Sequence, residues 1–100
     1  MKEISPAELK QLNDSKADYL LIDVREESEF DEVNLNGHLI PMGDVVERIN
    51  EIPKDKQVVV HCRSGKRSAS VIHVLETQFG YSNLYNLRGG ILGYIDEVGL

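Results

Sequence analysis

The residues of this chain best suited to nucleophilic chemistry lie in one run, Cys62-Arg63-Ser64-Gly65-Lys66-Arg67-Ser68, and Cys62 is the only cysteine among 100 residues. The run follows Val58-Val59-Val60-His61, whose three consecutive β-branched residues read as a buried strand. Behind it, Ala69, Ile72, Leu75 and Phe79 recur at helical spacing, with Gly80 as a natural helix stop. A thiol between a strand end and a helix start sits on a loop whose successive N–H groups face inward and cradle anions. Gly65 permits the tight backbone path. Four cations (Lys56, Arg63, Lys66, Arg67) and no Asp or Glu occupy the stretch from Lys56 to Leu75. Positive charge and a helix N-terminus both favour a thiolate, so the sequence predicts a depressed Cys62 pKa and a nucleophilic sulfur. Taken alone, a lone cysteine is more often a small buried hydrophobe. The order strand, thiol, glycine, helix turns the reading toward a reactive group.

Other chemistry-bearing residues take quieter roles. If strand geometry persists through His61, its side chain points to the opposite face from Cys62 and makes a poor partner for a Cys–His dyad. His38 and His73 have no ligand spacing with each other or with Cys62, so no metal site is predicted. Asp23 and Arg25 follow the apolar run Tyr19-Leu20-Leu21-Ile22 and should approach the same sheet edge as Cys62. The acids between Asp23 and Glu32 read as a solvated helix face, with docking of a basic partner as the alternative.

The elements that must position these residues alternate. Short strands are expected at residues 2–4, 19–22, 38–40, 58–61 and 84–87. Helices are expected from Ser5, where Pro6 suits the first turn and Glu8 closes a capping box, and at 28–33, 43–52, 66–79 and 91–98. In the 43–52 helix, Val45, Val46 and Ile49 would face inward. Strands separated by helices imply right-handed βαβ units, hence an α/β domain with a central parallel sheet. Ligands of such sheets bind outside the carboxyl ends of the strands. A chain of this length holds one domain, residues 1–100. A net charge of −6 argues against capture of nucleic acid or anionic lipid. No apolar run approaches the roughly 20 residues of a membrane span, and the N-terminus lacks a signal-peptide core. One cysteine allows no internal disulfide. The expectation is a soluble, cytoplasmic protein.

Four ordered segments resemble the rhodanese (sulfurtransferase) family. Asp23-Val24-Arg25-Glu26 with Glu29-Phe30, then Gly37-His38-Leu39-Ile40-Pro41, then Cys62 to Ser68, and finally Leu87-Arg88-Gly89-Gly90 are similar to its signatures, over nearly the whole chain. The resemblance implies a three-layer α/β domain with a mostly parallel five-stranded sheet flanked by helices. It implies that Cys62 accepts a sulfane sulfur as a persulfide, from thiosulfate or a protein persulfide, and passes it to a thiophilic acceptor without a cofactor. In that scheme the N–H groups of Arg63, Ser64, Gly65, Lys66, Arg67 and Ser68 stabilise the anionic sulfur, and Arg63 and Lys66 attract the anionic donor. Arg67 supports the loop, and Asp23 and Arg25 tie neighbouring loops together. With no second cysteine, an external acceptor must discharge the persulfide, which gives double-displacement kinetics.

Six residues from Cys62 to Arg67 match the rhodanese loop, whereas the related dual-specificity phosphatases have a loop one residue longer. A phosphatase or arsenate reductase is therefore the lesser alternative. A sulfur-delivery module without turnover, and a basic-loop anion sensor that tolerates Cys62→Ser, are two others. Tyr94 stands where many members carry tryptophan, and the segment after His38 is short. That abbreviated form is similar to domains appended to adenylating enzymes of sulfur transfer, a hint of a protein partner. Without a second domain to wall the pocket, the site should be shallow.

Overall fold

The centre of the sheet is built by the two most apolar runs, Tyr19–Asp23 (β2) and Gln57–His61 (β4), paired in parallel in the computed structural model, which describes residues 1–100. Buried on both faces, such strands lack polar alternation. Val58, Val59 and Val60 are essentially inaccessible, and each contributes about 1.5–3 kcal/mol of burial. Leu84–Leu87 (β5) flanks β4, with Glu3–Ile4 (β1) beyond it, and His38–Leu39 (β3) flanks β2. The order is β1-β5-β4-β2-β3 with every pairing parallel. The fold is thus α/β with a five-stranded parallel sheet and flanking helices, as the alternation of elements implied.

Helices cover both faces. Pro6–Asp14 (α1) opens on the expected capping box: Glu8 N–H donates to Ser5 Oγ at 3.1 Å and Ser5 N–H to Glu8 Oε1 at 3.0 Å. Glu27–Glu32 (α2) follows β2, Lys66–Phe79 (α3) follows β4, and Gly90–Glu97 (α4) follows β5. Ile22, Val58, Val60 and Cys62 share one core with Ile72 and Leu75 of α3. Leu21, Val59 and Leu87 pack on the other face with Leu9 of α1 and Tyr94 of α4. Successive strand side chains therefore enter opposite layers, and the parity that sends Cys62 toward α3 sends His61 away from it.

Residues 43–52 depart from expectation. They form two 3₁₀ turns, Met42–Asp44 and Ile49–Glu51, rather than one α-helix. Gly43 and two adjacent β-branched residues weaken a helix hemmed between Pro41 and Pro53. Val45 and Ile52 still reach the core, but Val46, expected inward, is 53% exposed.

Candidate active site

The edge of the sheet where the strands end at their carboxyl termini gathers the chemistry. The segment after β4 turns sharply at Gly65, whose φ of +105° is open only to glycine without strain, and enters α3 at Lys66. This path wraps the backbone around Cys62 Sγ. Gly65 N–H donates to the sulfur at 3.1 Å and Ser68 N–H at 3.4 Å, while Ser68 Oγ lies 3.4 Å away. Cys62 is 1% exposed. Burial pushes its thiol up, but the Ser68 hydroxyl and the N–H groups of Ser68, Gly65 and Ser64 outweigh that effect and hold it below its ordinary value. Hydrogen bonds lead in lowering this pKa, those of Gly65 and Ser68 coming from the N-cap and first turn of α3, and the Arg67 charge acts in the same sense.

The loop cations divide by environment. Arg67 spends its charge on Glu29 of α2 in a two-pronged pair, 2.7 Å to Oε1 and 2.9 Å to Oε2. That guanidinium, with the Glu26 backbone, holds the Glu29 carboxyl down at about 2 against the opposing effect of burial. Arg63 and Lys66 are exposed and take part in no ion pair, and Ser64 is exposed beside them. Arg63 lines a cleft of about 180 Å³ with Glu32, Val33, Ile91, Leu92 and Ile95 among its other walls. This falls below the roughly 300–1,000 Å³ of sites for drug-sized ligands and suits a small anion or a single extended chain.

Asp23 and Arg25 are buried side by side. The Arg25 guanidinium donates to Asp23 Oδ2 at 2.8 Å and to the carbonyls of Val33 at 2.8 Å and Glu29 at 3.4 Å, fastening the middle and the C-terminal end of α2 to the end of β2. Two acids assigned to a solvated face are therefore engaged instead: Asp23 is fully buried, and Glu29 is bound to Arg67. His61 is also fully buried, with Nε2 3.6 Å from Asp23 Oδ2 and Nδ1 3.2 Å from Cys62 O. Burial lowers its pKa in spite of Asp23, and its ring lies on the far side of the strand from the sulfur.

Two further residues, beyond the Cys62–Ser68 loop, shape the site. Gly90 starts α4 with φ +60°, which lets Ile91 N–H donate to Cys62 O at 2.9 Å and Leu92 N–H to Arg63 O at 3.1 Å. A Cβ at Gly90 would lie 2.4 Å from Arg63 O and 2.7 Å from Cys62 O. Asn86 of β5, buried, accepts from Ser68 Oγ at 2.6 Å and donates from Nδ2 to Gly65 O at 3.1 Å. Its only signal in the sequence is parity: Leu84 on the same face is core, so the polar residue two positions on needs a buried partner.

Comparisons with known proteins agree with this geometry. A family model described as Rhodanese-like domain matches residues 5–97. A sulfurtransferase of Allochromatium vinosum is 40% identical, over 94% of this chain and 88% of its own length. An adenylyltransferase and sulfurtransferase of Saccharomyces cerevisiae is 36% identical across 52% of this chain, which is 12% of that protein. A rhodanese-like domain protein of Staphylococcus aureus superposes with a TM-score of 0.85 at 30% identity, over 98% of this chain and 95% of that one. No helix of this chain is long and apolar enough to cross a membrane.

Proposed function

The chain belongs to the rhodanese-like domain family, and from that premise we propose that it is a sulfurtransferase whose Cys62 carries sulfane sulfur as a persulfide. The observation that carries this reading is the single sulfur enclosed by converging donors, the N–H groups of Gly65 and Ser68, on a loop between β4 and α3. Fixed donors aimed at a developing negative charge stabilise it without reorganisation. In the first step the Cys62 thiolate attacks the outer sulfur of thiosulfate; the new S–S bond forms as the old one breaks, and sulfite leaves with the bonding pair. In the second, an acceptor such as cyanide or a thiolate attacks the terminal sulfur of the persulfide, and the Cys62 thiolate leaves. No net oxidation of the protein occurs. Arg63, exposed on the cleft wall, attracts the donor dianion, and Arg67 and Glu29 brace the loop against α2. A protein persulfide is the alternative donor, and the same displacement at its outer sulfur would load Cys62.

Intact-mass measurement tests the cycle. Incubation with thiosulfate should add one sulfur, cyanide should remove it with release of thiocyanate, and Cys62→Ala should show neither change. An unchanged native mass with thiosulfate and with a cysteine-desulfurase persulfide alike would end the proposal. A second reading, delivery of sulfur to one protein partner without turnover, draws support from Leu92 and Ile95, large apolar side chains 47% and 38% exposed on the cleft rim. It predicts a persulfide that forms but that cyanide and small thiols discharge slowly, while the partner discharges it fast.

A further inference from the structure

Ser68 has one hydroxyl proton and two claimants for it. Its Oγ lies 2.6 Å from Asn86 Oδ1 and 3.4 Å from Cys62 Sγ. The orientation of the Asn86 amide follows from its other end, because Nδ2 faces the carbonyl of Gly65, which can only accept. Oδ1 therefore faces Ser68, and since it too can only accept, the hydroxyl proton lies on that short bond. In this arrangement Ser68 presents a lone pair to the sulfur, which suits a thiol: S–H donates to Oγ, and O–H donates to Asn86.

Loss of the thiol proton to solvent breaks the match, for a lone pair then faces an anion. Rotation of the hydroxyl would offer the thiolate a further donor and leave the buried Asn86 Oδ1 without one. The N–H groups at the sulfur are fixed by the backbone and cannot respond to its charge. We propose that Asn86 is a positioning residue that governs the Ser68 hydroxyl, holding its proton while Cys62 Sγ is uncharged and releasing it when Sγ becomes a thiolate. Given the persulfide reading above, on which this step depends, the hydroxyl returns to Asn86 once sulfur is loaded, because the charge then sits on the outer sulfur. The charged groups nearby do not duplicate this device. On β4, His61 turns to Asp23, which Arg25 also engages. Arg67 of α3 is bound to Glu29 of α2, and Lys66 and Arg63 are exposed. From α4 the packed residue is Ile91, which has no charge.

The test is the pH midpoint of Cys62 alkylation by iodoacetamide in the native protein, Asn86→Leu, Ser68→Ala and the double variant. Leucine has nearly the shape of asparagine and no acceptor, and Gly65 O keeps its bond from Ala69 N–H at 3.2 Å. Asn86→Leu frees the hydroxyl for the thiolate and should lower the midpoint by about half to one pH unit, the net effect of one hydrogen bond. In the Ser68→Ala background the same substitution should move nothing. A midpoint that stays or rises in Asn86→Leu, or that shifts equally with and without the Ser68 hydroxyl, overturns the assignment. Asn86→Ala carries the same expectation and replaces leucine if circular dichroism shows that variant to be non-native. Alkylation reads the thiol alone, so these shifts stand or fall apart from the mass test of persulfide formation.

Discussion

Burial and hydrogen bonding pull the Cys62 thiol in opposite directions, and the hydrogen bonds prevail. Its alkylation rate should therefore rise with pH to a midpoint below that of a free thiol; a midpoint above it would mean that burial dominates. The cations differ in what they are free to do. Arg63 lines the cleft, whereas Lys66 does not, although both are exposed. Arg63→Ala should raise KM for thiosulfate several-fold with little change in kcat, and Lys66→Ala should do less, as steady-state kinetics at fixed ionic strength would reveal. Equal effects would point to a diffuse field in place of a contact. The loop was legible because its signals are local: strand end, thiol, glycine and helix start fall within a dozen residues. Glu29 and Asn86 were not, since their partners stand 38 and 18 or more residues away and no periodicity links them.

Besides α3, which grows out of the sulfur loop, α4 touches that loop with its start, and Gly90 is what lets it approach. Gly90→Ala meets both a left-handed φ and a carbonyl 2.4 Å from the new Cβ. Gly80 at the end of α3 supplies the control, with φ +72° and nothing nearer to a Cβ than Lys54 Nζ at 4.0 Å. Gly80→Ala should cost about 1–2 kcal/mol of stability from backbone strain alone. Gly90→Ala should cost more, with loss of sulfur loading even where the protein stays folded, because Ile91 N–H can no longer hold Cys62 O. Urea unfolding together with intact mass would separate the two; equal losses would show that the loop yields around the added methyl. The long elements were read correctly because packing and local propensity agree in them. Residues 43–52 were misread because their apolar residues serve a lining strip pinned at Val45 and Ile52, and a helical pattern with two anchors does not require a helix.

At the scale of the whole molecule, buried and paired titratable groups tie the elements together and should make stability depend on pH in two stages. His61 is buried with its pKa pushed down, so below its ordinary value near 6.5 the unfolded chain takes a proton that the folded one refuses. More protons bound by the unfolded state means stability that falls as pH falls, beginning below about 6.5. The second stage belongs to carboxylates. Glu29 beside Arg67, and Glu51 beside Arg48 and His38, are each held at about 2 against an ordinary value of 4.5. Their contribution is complete above about 4.5 and is lost as pH falls toward 2. Both pairs are partly open to solvent, so screening keeps this second stage shallow and sensitive to salt. The urea midpoint should therefore decline between pH 6.5 and 5 and decline again below 4.5. His61→Leu should flatten the first decline, and Glu29→Gln with Glu51→Gln the second. A native midpoint that is level from pH 7 to 5 would mean that His61 is protonated as readily in the fold as out of it, and the buried contact between β4 and β2 would then have to admit a charged ring beside Asp23 and Arg25.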